Sequence, residues 1–398
     1  MVDITKKNLI GGDYMQFFEF TEDQELLRKA VREFAEAEVA PKAAEWDEKD
    51  YCPMELFPMM GELGINGIFT PEEYGGAGMG HVERAICIEE ISRYSAGLGI
   101  ALMTHHLGMA AILDFGAEEQ KKKYLPEMCA GTKLCGLAVT EPGGGSDFAG
   151  QKTTAELVDG QWVLNGRKCF ITNHHADVNV ITAVTGVDER GRNQLGAFIV
   201  EKGTPGFGPG RKENKLGLRG SVTGDVILNE VKIPEGNILG KAGDGGKIGM
   251  AAKGEVGRAG MSAICVGILR GCVEEAIKFA NERIVYGKPI SKLQAVQFEI
   301  ANIRTEYEAA RMLLYYAAGK KDAKLPATPD FAIAKYYSTE AAVRASKRTM
   351  DLMGGYGIIN EYPVRRFLRD AMASIPSGGT SHIQQLIIAG NTLSAFKA

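Results

Sequence analysis

The strongest constraint on this chain is a change in its hydrophobic period. Apolar residues recur at three-and-four spacing up to about residue 133, at period two from there to about residue 233, and at three-and-four spacing again after Gly245. A stretch with one period cannot pack as the other, so the chain is expected to divide into helical, β and helical blocks. The expected class is α+β multidomain: a tail over residues 1–17, an N-terminal helical domain over 18–133, a middle β-barrel or sandwich over 134–245, and a C-terminal four-helix bundle over 246–398. With 398 residues and 45% hydrophobic content, two or three such cores can be filled.

Within the first block, a helix is expected from residue 22, capped by Thr21 and stopping near Pro41 and Trp46. Further helices are expected over 54–63, 82–94, 98–115 and 118–128. In the middle block, strands are expected over 133–140, 153–158, 161–165, 178–184, 197–201 and 225–233, with Asp159-Gly160 as a two-residue hairpin turn. Glycines 206, 208 and 210 read as further turns. The last block reads as helices over 247–285, 292–318, 329–353, 364–373 and 382–396, with 320–329 as an exposed connection.

Several function classes are excluded by charge and composition. A net charge of −4, from 46 basic and 50 acidic residues without a basic block, leaves no footprint for nucleic acid. The apolar stretch 98–113 is short for a bilayer and carries His105 and His106, so it reads as a buried helix and no membrane span is expected. The first sixteen residues carry Lys6 and Lys7 but no apolar core or cleavage site, and read as a short tail. The seven cysteines form no CxxC pair and no metal-ligand spacing with the six histidines. Reduced thiols, a cytoplasmic location and no metal are the expectation.

Chemistry enters at LAVTEPGGGSD, residues 137–147. A strand runs into three consecutive glycines, Gly143 to Gly145, which let backbone N–H groups approach a ligand, while Thr140 and Ser146 supply hydroxyls. An ordinary tight loop has the same look; other motifs decide. NGRKCFITN, ERIVYG followed by Gln294 and Gln297, MGGYGIINEYP and GGTSHIQ occur in that order after it. Together with the block order, they resemble the acyl-CoA dehydrogenase family over roughly residues 18–396.

That resemblance implies FAD and an acyl-CoA substrate, an electron-transferring flavoprotein as redox partner and a homotetramer. It implies that Leu137, Val139, Thr140, Gly145 and Ser146 border the flavin and its diphosphate, with Phe170, Ile171 and Thr172 beside the isoalloxazine. The family more often has Trp where Phe170 stands. Arg283, Tyr286, Gln294, Gln297, Gly354 and Gly355 would grip the diphosphate and adenine across a subunit boundary, with Thr380 and His382 from the last motif. Asp351 stands where the family commonly has glutamine. Arg258, Glu255, Gly257 and Ser146 would border the acyl-CoA, and Ile100, Met103, Thr104 and Leu107 would form the acyl wall.

One departure is large. The family's glutamate base occupies one of two places, and these hold Gly378 and Gly257 here. A general base contributes about 10²- to 10⁴-fold in rate. Glu255, two residues from Gly257, points some 200° away on an α-helix. The Gly378 N–H can still polarise a thioester oxygen. The expectation is therefore a substrate deprotonated elsewhere: the γ carbon of an unsaturated, cyclic acyl-CoA, desaturated by 1,4-elimination. His105, then His106, are candidate relocated bases, with Thr104 positioning substrate or water. Three alternatives stand beside it: ordinary α,β-dehydrogenation with an unidentified base, redox-neutral loss of sulfite or carboxylate, and a non-catalytic acyl-CoA and flavin binder. The second needs an anion-binding arginine in the pocket, and the helix around Ile100 offers none.

Overall fold

The computed structural model describes residues 19–395; the expected N-terminal tail lies outside them. Six α-helices come first: α1 (Glu22–Phe34), α2 (Ala43–Lys49), α3 (Leu56–Glu62), α4 (His81–Ser92), α5 (Ala96–Phe115) and α6 (Glu118–Cys129). Thr21 caps α1 as expected: its hydroxyl accepts from the Gln24 N–H at 3.2 Å, and the Gln24 side chain accepts the Thr21 N–H at 3.0 Å. The single helix expected up to Trp46 is in fact broken. A π-turn over Ala35–Val39 leads to the stop before Pro41, and Trp46 is buried in a separate helix, α2.

Helix α5 starts earlier than expected and spans 20 residues, which by length and apolarity alone could cross a membrane, as could Gly245–Glu282. The most apolar 18-residue window of each is 94% buried inside the fold, so they are core helices, apolar because they are surrounded by protein.

The middle block forms one eight-stranded sheet from β1 (Cys135–Ala138), β2 (Thr154–Val158), β3 (Gln161–Thr172), β4 (Val178–Val187), β5 (Asn193–Glu201), β6 (Phe207–Lys212), β7 (Thr223–Pro234) and β8 (Ile238–Leu239). The order is β6-β7-β3-β2-β4-β5-β8, and β1 pairs parallel with β4. Asp159 and Gly160 both take positive φ, as a tight hairpin between β2 and β3 requires. The glycine run at 206–210 is not only turn. Gly206 turns, but Gly208 and Gly210 lie in edge strand β6, where a Cβ on Gly210 would sit 2.9 Å from that of Asp225. Ala155, Trp162, Phe198 and Val226 anchor the sheet's own core.

The chain then returns to helices α7 (Gly245–Ala251), α8 (Arg258–Glu282), α9 (Gln294–Asp322), α10 (Thr328–Met353), α11 (Val364–Ser374) and α12 (Ser381–Ala395). Between α7 and α8 the expected continuous helix widens into a π-helix, Ala252–Gly257. All seven cysteines are buried and free. The 320–329 connection is shorter than expected because α9 runs on to Asp322, whose carboxylate caps α4, accepting the His81 N–H at 2.7 Å and the Val82 N–H at 2.9 Å. This cap ties the first block to the last. Asp322→Ala is expected to cost about 1–2 kcal/mol and Asp322→Asn less, read as the drop in thermal midpoint; an unchanged midpoint in the alanine variant would show the cap to be idle.

Candidate active site

Strand β1 delivers the chain to the glycine turn, and a buried ammonium fixes it there. Lys168 on β3 is fully buried and donates to Glu141 at 2.7 Å, to Gln151 at 2.7 Å and to the Val139 carbonyl at 3.2 Å. Glu141 also accepts the N–H groups of Lys152 at 2.6 Å and Thr153 at 3.0 Å. The ends of the loop are thereby clamped, while Gly143 and Gly144 stand in the open with nothing near their Cβ positions. Gly145 is packed against Thr140, whose methyl carbon a side chain there would meet at 3.0 Å. Ser146 is exposed.

Beside this loop, β3 bulges between Lys168 and Ile171. The bulge turns Phe170 outward, 66% exposed and with φ of 56°. A bulky residue in that conformation is strained, and an exposed aromatic face beside an open glycine loop suits a flat ring. Ile171 differs from expectation: its side chain packs into the sheet core. Thr172 pairs with the Thr223 hydroxyl at 3.3 Å. Leu137 and Val139 are buried behind the loop.

The second group of cofactor candidates gathers elsewhere. Arg283, Gly354 and Gly355 line an open cleft of about 610 Å³ that includes none of the loop residues. Arg283 lies over the Tyr356 ring at 5.4 Å, and Tyr286 is 90% exposed. Gln294 and Gln297 are exposed on the first turn of α9, and the Gln297 amide donates to the Ser291 carbonyl at 2.9 Å. Asp351 is exposed and bonded to Lys347 at 2.6 Å. Thr380 accepts the Ile383 N–H at 3.3 Å at the head of α12, where His382 is exposed. An open glycine cradle, an outward aromatic and a separate cleft lined by Arg283 have the chemistry to hold a long flavin nucleotide.

The acyl wall is legible in residual exposure along α5. Ile100, Met103, Thr104 and Leu107 keep 4–7%, whereas Ala101, Leu102, His105 and His106 have none. The four therefore border a space and the histidines do not. Opposite them, a side chain on Gly257 would begin 3.5 Å from the Leu107 methyl, and one on Gly378 would begin 3.8 Å from the Gly257 carbonyl. The two positions are thus close neighbours beside α5, and both are bare. Lys335, fully buried, donates to the carbonyls of Ile375 at 2.6 Å and Gly379 at 2.8 Å, holding the turn that carries Gly378. Among the described residues, nothing accepts the Gly378 N–H.

His105 and His106 cannot be bases here. His105 accepts the Cys135 N–H at Nδ1, 3.0 Å away, and donates from Nε2 to the Met128 carbonyl at 3.1 Å. Burial pushes it down to about 4. His106 accepts from Arg84 at 3.2 Å and donates to the Ile65 carbonyl at 3.1 Å, with burial and Arg84 lowering it further. Both are packing residues whose nitrogens complete backbone bonds. The Glu255 argument also changes, because an α-helical turn angle does not apply to a π segment. Its carboxylate binds Lys321 and accepts from Thr328 at 2.8 Å; burial alone would raise it, but those partners outweigh burial and hold it low. Arg258 is buried at the start of α8, its Nε without a partner.

Two residues escaped sequence reasoning. Lys253, in the π segment, reaches the Thr140 hydroxyl at 3.3 Å, and burial together with Lys168 pushes it down to about 8. Arg84, on α4, is buried against the acyl wall. The available signal is a cation among the apolar positions of VERAICIEEI, whose burial depends on α5 and the π segment packing over it.

Comparisons with known proteins agree with this architecture. Residues 21–132, 136–231 and 243–393 match the N-terminal, middle and C-terminal domain models of acyl-CoA dehydrogenase. The chain is 44% identical to an acyl-CoA dehydrogenase of Bacillus subtilis (strain 168), over 92% of this chain and 97% of that one. It is 40% identical to an acryloyl-CoA reductase (NADH) of Anaerotignum propionicum, over 94% and 95%. The solved butyryl-CoA dehydrogenase from Megasphaera elsdenii superposes with a TM-score of 0.92 at 37% identity, over 95% of this chain and all of that one. The chain belongs to the acyl-CoA dehydrogenase family: it is an FAD-dependent oxidoreductase acting on CH–CH bonds.

The Lys168 clamp gives a direct test. Removing one partner of a buried pair costs about 3–5 kcal/mol, so Lys168→Met is expected to lower the thermal midpoint and the FAD content of purified protein. Adding Glu141→Gln should recover part of the stability. Full flavin content in Lys168→Met would remove the clamp from any role in shaping the loop.

Proposed function

We propose that this enzyme desaturates an unsaturated or cyclic acyl-CoA by 1,4-elimination, with Lys253 as proton acceptor. The observation that carries this reading is the facing pair Gly257 and Gly378, which leaves both usual carboxylate positions bare. A proton leaves the γ carbon of an enoyl thioester and a dienolate forms. Its electron pair returns as a hydride leaves the other carbon bonded to the α carbon, giving a conjugated diene. FAD supplies the hydride acceptor. The Gly378 N–H is the donor for the enolate oxygen, and Thr104 positions the ring. Lys253 is favoured as acceptor because it spans from the π segment beside Gly257 to Thr140 on the cofactor loop. An amine with a lowered pKa is a competent base near neutral pH. The two separated clusters of cofactor residues support a site completed by a second copy within a homotetramer. Electron-transferring flavoprotein is the proposed acceptor of the electrons. Buried free thiols support a cytoplasmic setting.

The test is an anaerobic titration of flavin absorbance with cyclohexenecarboxyl-CoA, cyclohexanecarboxyl-CoA and butanoyl-CoA. The unsaturated ring should bleach the flavin fastest; rapid bleaching by butanoyl-CoA would restore ordinary α,β-dehydrogenation. The pH profile tests the base. Lys253 must be neutral to accept a proton, so the rate should rise as pH passes about 8 and Lys253→Met should abolish that limb. A rate that falls above that pH would make Lys253 a required cation instead.

A carboxylate can also be put back. Gly257 has ordinary helical φ of −70° and room for a side chain, whereas Gly378 has φ of 67° and would be strained. Gly257→Glu should therefore raise flavin reduction by butanoyl-CoA by about 10²-fold or more, and Gly378→Glu should do so less well. No gain in either variant would refute the missing carboxylate as the barrier.

A further inference from the structure

Midway along α8, about 20 Å by helical rise from both Gly257 and Arg283, a cleft of about 310 Å³ is lined by five arginines. They come from three helices: Arg28 and Arg32 from α1, Arg270 from α8, and Arg304 and Arg311 from α9. The lining includes none of the acyl-wall or cofactor residues.

Cations gathered this closely need acceptors, and those present are shared or weak. Arg32 and Arg270 divide the buried Glu90 carboxylate, at 3.1 Å and 2.5 Å. Glu274 is divided in turn between Arg270, at 3.1 Å, and Arg93. Glu90 and Glu274 therefore serve three guanidiniums. Arg28 and Arg304 pair with Glu25 and Glu308, one turn away on their own helices and partly open to solvent. Such pairs contribute little and exchange readily for a better partner. Among the described residues, Arg311 forms no ion pair and no hydrogen bond; it is held by rings, 4.8 Å from the centre of Phe20 and 5.2 Å from that of Tyr315. The Phe20 ring also carries Arg28, 5.5 Å away, so one ring brings guanidiniums of α1 and α9 to the same place. A cation–π contact occupies the face of a guanidinium and leaves its N–H edge free to donate. Beneath, the hydroxyls of Tyr307 and Tyr315 donate to buried Glu89 at 3.2 Å and 2.6 Å, which fixes those rings.

Guanidiniums with fixed faces and free edges, brought together from three helices, match an acceptor that offers oxygens in several directions. A carboxylate is planar and fills one fork, whereas a phosphate is tetrahedral, carries more charge and can bridge forks on opposite helices. The space admits more than one such group, since a water takes about 30 Å³. We propose that this cleft binds a small phosphorylated anion, a diphosphate or the phosphate chain of a nucleotide, which bridges Arg304 and Arg311 of α9 to Arg28 and Arg32 of α1. The site is independent of the reaction proposed above. Its occupant would tie the N-terminal helical domain, which holds α1, to the C-terminal bundle, which holds α9, and so stabilise their junction.

The test is calorimetric titration of the FAD-loaded enzyme, at constant ionic strength, with inorganic phosphate, pyrophosphate, ATP and acetate. Pyrophosphate should bind once per chain, roughly ten-fold more tightly than inorganic phosphate, and should raise the thermal midpoint. Arg311→Met should weaken it by roughly ten-fold, and Arg304→Met, at the exposed rim, by a smaller factor, both with flavin content unchanged. ATP binding more tightly than pyrophosphate would assign the anion to a nucleotide; equal or weaker binding would assign it to the linked phosphates alone, and either result supports the site. Absence of saturable pyrophosphate binding, or acetate binding as tightly, would overturn it. A pyrophosphate isotherm unchanged in both variants would also overturn it, by placing the anion elsewhere on the enzyme. Where Arg311→Met fails to fold, the rim variant and the anion series decide the question.

Discussion

Everything at the cofactor loop depends on one buried ion pair. Lys168 comes up from β3 into a place without water, where an ammonium persists only if its hydrogens are taken, and Glu141, Gln151 and the Val139 carbonyl take them. Those acceptors belong to the two ends of the glycine turn. The loop's geometry is consequently set from beneath, and its upper surface needs no side chains to hold it. Gln151 also accepts from Thr182 at 2.7 Å, which carries the clamp across to β4. The same ammonium acts on the chemistry: its charge helps to push the proton off Lys253, linking the support of the loop to the proton affinity of the amine above it.

A second constraint comes from the π segment. Its wider turns change where each side chain points and release carbonyls from the regular ladder. Val256 shows the consequence, for its carbonyl is taken by Arg84, a residue from a helix distant in sequence. Glu255 shows another, being turned toward Lys321 and Thr328 at the junction of α9 and α10. Lys253 is left facing the cofactor loop and Gly257 facing the acyl wall. A regular α-helix through the same residues could not present this set.

The three-block architecture was legible because hydrophobic period reports burial directly, and the hairpin at Asp159-Gly160 was legible because its backbone demands those residues. What stayed hidden depended on partners far away in the chain. Gly208 and Gly210 looked like turns, yet β7 recruits them as an edge strand. The π segment has no local signature, so an α-helical angle was wrongly assigned to Glu255. His105 and His106 carried suitable chemistry, but their nitrogens serve the main chains of Met128, Cys135 and Ile65, and no local pattern reveals those acceptors and donors. Arg84 was visible as a cation in the α4 segment but not as a buried one, because its partners, His106 and the Val256 carbonyl, come from α5 and the π segment. The two glycines were the reverse case: their identity was plain in sequence, and the structure supplies their adjacency.

That adjacency alters the field inside the pocket. A carboxylate at either glycine would place a negative charge beside the reacting carbons and balance the cations nearby. With both absent, Lys253 and Arg258 are among the described cations near these positions, while Glu255 is already bound to Lys321. At low dielectric, unbalanced cations favour negative charge that develops on a bound group. The two bare glycines therefore bear on the field in the site as well as on its proton acceptor, because neither usual carboxylate position carries a negative charge.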